Sequence, residues 1–179
     1  PVRGLFSIPF AGLTEDGLPT FINQDGQKTI SSFNFQEYEK LDFLKYEGPT
    51  DPTITGSFGN ILTYKNLKLN VFVTYSFGNV IRLDPVFSNA YSDLDAMPKE
   101  FKNRWMKAGD ENVTNIPTIV STRMNQQYAY LNMAYNAYNY SDVRIADGGF
   151  IRLKEISLSY DLPAKVINFF RLNKLQLKL

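Results

Sequence analysis

The side chains that most often do chemistry are missing from this 179-residue chain, which has no histidine and no cysteine. Imidazole general bases, thiolate nucleophiles, disulfides and thiolate metal sites go with them. What remains is carboxylates, amides and aromatic rings. The carboxylates of Asp84, Asp93, Asp95, Asp110, Glu111, Asp142, Asp147 and Glu155 are scattered along the chain. A glycosidase needs two carboxyls held about 5–10 Å apart on a rigid site, and this spacing selects no pair. Asp142 and Asp147 are carboxylates of the kind that join loop carbonyls around a calcium ion, but no ordered Asp/Asn loop closed by a glutamate appears. There is no nucleophile elbow and no glycine-rich phosphate loop. The expectation is a protein that is not an enzyme, with no catalytic, metal-binding or cofactor-binding residue.

Two stretches carry recognition chemistry instead. Arg104-Trp105, followed by Gly109-Asp110, fits either a ligand or partner contact on a loop or a loop held together by its own tryptophan. Asn125–Tyr140 is rich in Asn, Gln, Ala and Tyr. Aromatic faces stack on sugar rings and amides bond their hydroxyls, a mixture suited to a ligand platform. The same composition also fits a loop folded over a barrel mouth or an interfacial tyrosine belt, and such a stretch need not pack a core of its own. The contact candidates are Arg104, Trp105, Tyr128, Tyr130, Tyr135 and Tyr138.

The elements that must hold these residues are strands. Aromatics make up 15% of the chain, with 14 Phe and 11 Tyr, which leans towards β structure. A net charge of +1 gives no electrostatic case for nucleic acid. No run of 18 uncharged apolar residues codes a membrane helix. Neither end carries a signal-peptide pattern or a natural stop, and a piece of a longer chain is expected.

The organising stretch is Asp147–Pro163, a long strand that opens on a glycine pair and stops at a proline. Its first half carries Arg152, Lys154 and Glu155. Its second half alternates Ile156, Leu158 and Tyr160 with Ser157, Ser159 and Asp161. The best hairpin is 54–77, turning at Lys65-Asn66. There Leu67, Leu69, Val71, Val73, Tyr75 and Phe77 share one face, with Phe72 the exception on the other. After Pro163 a turn or two of helix is expected over 164–170, then a strand with Leu175, Leu177 and Leu179 opposite Lys174, Gln176 and Lys178. Residues 2–10 fit the end of a strand, weakened by Pro9. Residues 11–53 read as a long loop with one short amphipathic helix between Asn34 and Tyr46. Residues 78–147 read as a second long loop holding a helix over 98–107, opened by Pro98 and closed by Gly109.

Short and long connections therefore alternate, as in an outer-membrane barrel with tight periplasmic turns and long outer loops. The 54–77 hairpin and the strands of 148–179 then cross the membrane, their apolar sides on lipid. Lys68, Lys174 and Lys178 face the lumen, as ligand guidance or as a hydrated wall. Tyr64 and Tyr160 fall at the periplasmic rim, Tyr75 and Phe77 at the outer one.

The chain also resembles the C-terminal part of the SusC/RagA family of TonB-dependent outer-membrane transporters. The residues that carry this are Asp51-Pro-Thr-Ile-Thr-Gly-Ser-Phe58, Thr63-Tyr-Lys-Asn-Leu-Lys-Leu69, Arg104-Trp105 with Gly109-Asp110 and Ile116-Pro117, and Gly149–Pro163. They occur in the family's order and cover most of the chain after residue 50. The resemblance implies an all-β, antiparallel segment of a large transmembrane β-barrel with long extracellular loops and short helical turns. It implies a plug domain outside this chain, a SusD-like lipoprotein lid, drive from the TonB complex through an N-terminal region also outside it, and import of oligosaccharide or peptide. Its place would be the cell outer membrane, in contact with lipid. The alternative is a soluble β-sandwich carbohydrate-binding module, in which the same apolar faces turn into a core.

Overall fold

The computed structural model describes residues 3–32, 41–86, 98–127, 130–169 and 172–179. In chain order its strands are β1 (Gly4–Ser7), β2 (Phe10–Leu13), β3 (Pro19–Ile22), β4 (Lys28–Thr29), β5 (Lys45–Pro49), β6 (Ile54–Tyr64), β7 (Leu67–Phe77), β8 (Val80–Arg82), β9 (Ile145–Asp147), β10 (Phe150–Asp161) and β11 (Gln176–Lys178). Its α-helices are α1 (Thr122–Gln127), α2 (Leu131–Asn139) and α3 (Ala164–Phe169). Strands pair antiparallel in every sheet described; an isolated bridge, Ile8 to Ser141, is parallel. The chain divides into two units, Asp51–Asn79 with Gly148–Leu179, and Pro1–Thr50 with Val80–Asp147.

The first unit is a four-stranded sheet in the order β11-β10-β7-β6. β6 and β7 pair in unbroken register from Ile54 opposite Phe77 to Tyr64 opposite Leu67. Their turn is tight enough to place Lys65 at φ 51°. It is pinned to the neighbouring strand: the Asn66 amide donates to the Asp161 carbonyl at 2.8 Å, and the Asp161 N–H donates to the Asn66 carbonyl at 2.8 Å.

β10 contains a device that strict alternation does not show. Its register against β7 shifts between Leu153, opposite Val73, and Glu155, opposite Phe72. This β-bulge at Lys154 inserts one residue and reverses the parity of everything beyond it. Ile151 and Leu153 therefore share a face with Ile156, Leu158 and Tyr160. One apolar face runs through Phe58, Leu62 and Tyr64, through the odd-numbered residues of β7, and on to Leu177. Most of it is open: Ile151 is 70% exposed, Phe58 63% and Ile156 62%. Asn60, opposite Val71, is its polar exception, and nothing in the structure explains it.

The glycines of β6 have partners. A β-carbon at Gly56 would collide with the Tyr75 phenol, and one at Gly59 would press on the Phe72 ring. Aromatic rings laid over strand glycines cover bare backbone. This is why Phe72 departs from its neighbours: it lies on the polar face because Gly59 needs a lid.

The second unit, expected as two long loops with a short helix in each, is built largely of short strands. β1 and β5 form one ribbon, β2-β3-β4 a three-stranded sheet, and β8-β9 a second ribbon. Polar side chains close the hairpin turns of the three-stranded sheet. Thr14 Oγ1 accepts from the Leu18 N–H at 3.0 Å, and Asn23 Oδ1 accepts from the N–H groups of Asp25 and Gln27 at 3.0 and 2.9 Å. The helix expected between Asn34 and Tyr46 falls partly on 33–40, outside the described residues; Lys45 and Tyr46 lie in β5. The helix expected over 98–107 is a 3₁₀ turn, Lys99–Asn103, and Gly109 opens the next turn, Asp110–Asn112, rather than closing the first.

The tyrosine-asparagine stretch does pack a core. α2 buries Leu131, Ala134, Tyr135 and Tyr138, the i, i+3, i+4, i+7 stripe of an amphipathic helix. Around it sit Ile8, Phe21, Val86 and Phe101 in one cluster and Leu18 in another.

Candidate functional site

The polar face of the four-stranded sheet pairs its charges with one another. Lys68 Nζ lies 3.3 Å from Asp161 Oδ2, and Lys174 Nζ lies 3.9 Å from Asp161 Oδ1. Gln176 Nε2 donates to Asp161 Oδ1 at 2.9 Å. Lys178 Nζ reaches Glu155 Oε1 at 3.5 Å, and Ser157 Oγ donates to the same oxygen at 3.0 Å. Solvated pairs of this kind contribute little to stability. Their effect is on the field: all three lysines have a carboxylate partner. Arg152, by contrast, stacks on Phe150, its guanidinium 4.8 Å from the ring centroid.

In the second unit Arg104 and Trp105 tie a loop. The Trp105 indole N–H donates to Glu111 Oε2 at 3.0 Å, and the Gly109 N–H donates to that oxygen at 2.8 Å. The Trp105 N–H donates to the Ile116 carbonyl at 2.9 Å. Its indole lies over Gly17, whose φ of +75° and absent β-carbon leave the room. Glu111's own backbone N–H and then the indole hold its carboxyl below the usual range. Arg104 Nη1 donates to the Phe101 carbonyl at 3.1 Å. The self-held loop, the plainer of the two sequence alternatives, describes this arrangement.

Of the tyrosine candidates, Tyr128 lies outside the described residues and Tyr130 is exposed just before α2. Tyr135 and Tyr138 are both 2% exposed, so their rings are closed to a ligand here. Tyr135 donates its hydroxyl to the Thr118 carbonyl at 2.6 Å. Tyr138 packs edge-on against Phe10 with centroids 5.7 Å apart. Both stand on the buried stripe of α2.

Burial pushes the Tyr138 hydroxyl up to about 12, with Arg144 nearby partly opposing the shift. In an unfolded chain it ionises near 10. Below that pH both states are neutral and stability is unaffected. Above it the unfolded state sheds a proton that the folded state keeps, so stability falls by about 1.4 kcal/mol per pH unit until the folded value is passed. Tyr138→Phe should remove this slope, read as the difference in denaturant midpoint between the two proteins from pH 9 to 11.5.

Two features of the second unit were not singled out from sequence. Arg144 is buried; its Nη1 donates to Glu100 Oε2 at 2.7 Å and its Nη2 to the Asp84 carbonyl. Arg82 lies over the Tyr140 ring, 4.9 Å from the centroid, beside an open cleft. No periodicity marks either, because their hydrogen-bond partners are 44 to 76 residues away.

A long antiparallel sheet with a bare apolar face, tyrosines at its turn and an internally paired polar face is a segment of a membrane β-barrel. Comparison with known proteins places the segment further. No family model matches the chain. Over 153 residues, 86% of the chain, it is 26% identical to the TonB-dependent receptor P3 of Formosa agariphila, of which it spans 13%. Its fold matches the RagAB peptide transporter with a TM-score of 0.63, over 98% of this chain and 18% of that one, at 18% identity. The RagAB peptide importer matches at 0.56 in its open-open state, over 90% of this chain and 16% of that one, with 19% identity. The chain thus spans less than a fifth of these relatives. The resemblance to SusC/RagA transporters carried by its motifs stands, and a β-sandwich is not favoured: the apolar face of the sheet is open.

Proposed function

We propose that the chain is the strand-and-loop segment of an outer-membrane TonB-dependent transporter that imports oligosaccharides or peptides with a SusD-like surface lipoprotein. The observation that carries this is the sheet: one face is apolar and exposed across the bulge, and the other carries lysines paired with carboxylates, with Ile61, Phe72 and Phe150 as its apolar members. A water-soluble fold would bury the first face. The strands of β6, β7, β10 and β11 then cross the membrane, with the Lys65-Asn66 turn on the periplasmic side and the residues of 1–50 and 80–147 outside. TonB would act through the parent protein's N-terminal region. The relatives are named as a receptor and as transporters, which supports uptake rather than catalysis.

The chain has no cysteine of its own, so single cysteines report cleanly on each face of the sheet. In the parent transporter, Leu69→Cys and Ile156→Cys should react with a lipid-soluble maleimide and resist a charged, water-soluble one. Ser57→Cys and Asn70→Cys should show the opposite preference. Equal labelling of the two sets by both reagents would sink the barrel assignment.

A further inference from the structure

The buried stripe of α2 has a counterpart on its open side. Asn132, Asn136 and Tyr140, spaced i, i+4, i+8, are all exposed. At the Tyr140 end this side borders a cleft of about 430 Å³ lined by Arg82, Asp84, Pro85, Asn136, Asn139 and Tyr140, within the size range of small-ligand sites. The wall is built rather than incidental. Arg82 Nη2 donates to the Phe6 carbonyl at 2.8 Å and Nη1 to the Asn139 carbonyl at 3.4 Å, and the guanidinium covers one side of the Tyr140 ring. Buried Arg144 holds the Asp84 carbonyl from beneath. Against this fixed frame, the Asp84 carboxylate, the Asn136 amide and the Tyr140 hydroxyl make no hydrogen bond or ion pair with the described residues.

We infer that this cleft binds a neutral oligosaccharide, with Asp84 and Asn136 as its principal contacts. The reasoning is chemical. Arg82 and Asp84 give the cleft no net formal charge, and Arg82 is already occupied. An anionic ligand would meet the free carboxylate and a cationic one the guanidinium. Sugar hydroxyls are both donors and acceptors, and the free groups supply what they need: a carboxylate that only accepts, an amide that does both, and a phenol. A peptide is bound through an exposed strand edge or apolar pockets for its side chains, and this wall offers little more than Leu83 and Pro85 for that.

The inference takes its ligand from the transporter reading, so the experiment must separate the two. The full-length transporter, purified in detergent, is tested for binding to an array of neutral oligosaccharides and to a pool of short peptides. At least one neutral oligosaccharide should bind saturably. Asn136→Ala and Asp84→Asn should each weaken it about ten-fold or more, as loss of a hydrogen bond to a charged or buried partner does. Tyr140→Phe should have a smaller effect, and Val113→Ser, on an exposed loop residue, none. Binding of peptides alone, of no oligosaccharide, or of oligosaccharide undiminished by both principal variants would overturn the inference. The transporter reading would survive any of these while the cysteine pattern on the sheet holds, and would fail only with that pattern.

Discussion

Ile156→Arg should cost the parent transporter about 2–4 kcal/mol of folding stability, the penalty for a basic side chain on the lipid face of a barrel near the bilayer midplane. Ile156 is opposite Val71, and Val71 opposite Asn60. This row lies well inside the strands, between the one where Tyr160 and Tyr64 flank Leu67 and the one where Ile54 meets Phe77. An arginine there has no carboxylate on its own face: Glu155 and Asp161 project from the opposite one. It must reach an interface several residues away or stay unpaired in hydrocarbon. Asn70→Arg is the matched comparison. It lies one residue away from Val71 on the polar face, opposite Ser157, whose hydroxyl donates to Glu155, so the new charge finds water and a nearby carboxylate. Its cost should stay within about 1 kcal/mol. Urea titration of each variant refolded into lipid vesicles measures both. Equal costs would mean that the two faces see the same solvent, which no barrel wall does.

The sheet was legible in the sequence because its signal is local. Period-2 alternation in Leu67–Phe77 and Ile156–Tyr160, and the Lys65-Asn66 turn between two such runs, need no knowledge of distant contacts. The bulge was legible too, though only in retrospect: apolar residues are odd-numbered at 151 and 153 and even-numbered from 156 onward, and one inserted residue reconciles them. The second unit was legible in its punctuation and not in its pairing. Its turns at Thr14–Leu18 and Asn23–Gln27 are recognisable, but strands of two to five residues carry too few alternations to register. α2 hid behind its composition. Tyrosine and asparagine drew attention as ligand chemistry, while the helical spacing of Leu131, Ala134, Tyr135 and Tyr138 assigned the two tyrosines to the core and left Asn136 and Tyr140 outside.

Glu100→Ala is expected to destabilise the second unit by about 3–5 kcal/mol, because it strands a buried charge. The Arg144 side chain is 3% exposed and Glu100 is its ion-pair partner at 2.7 Å. Among the described residues its remaining acceptor is the Asp84 carbonyl, and its Nε has no hydrogen-bond partner. Without the carboxylate, a guanidinium with a single acceptor must stay out of water. Arg144→Met should be the milder change. It removes the group that needs solvation and keeps most of the volume, and Glu100, with 36% of its side chain exposed, can turn to water. The order of the two costs is the test, measured as denaturant midpoints with protease resistance of residues 1–50 and 80–147 as the local readout. A hydrophobic account, in which Arg144 matters for what it fills, predicts the reverse order. The consequence reaches the cleft as well. The Arg144 carbonyl accepts from the Leu83 N–H at 2.8 Å while its Nη2 holds the Asp84 carbonyl, so its backbone and side chain together fix the segment after β8 that presents Asp84. In Arg144→Met the first of these bonds persists and the second is lost. Oligosaccharide affinity should therefore fall in that variant even where the fold is kept, and in Glu100→Ala the fold should fail first.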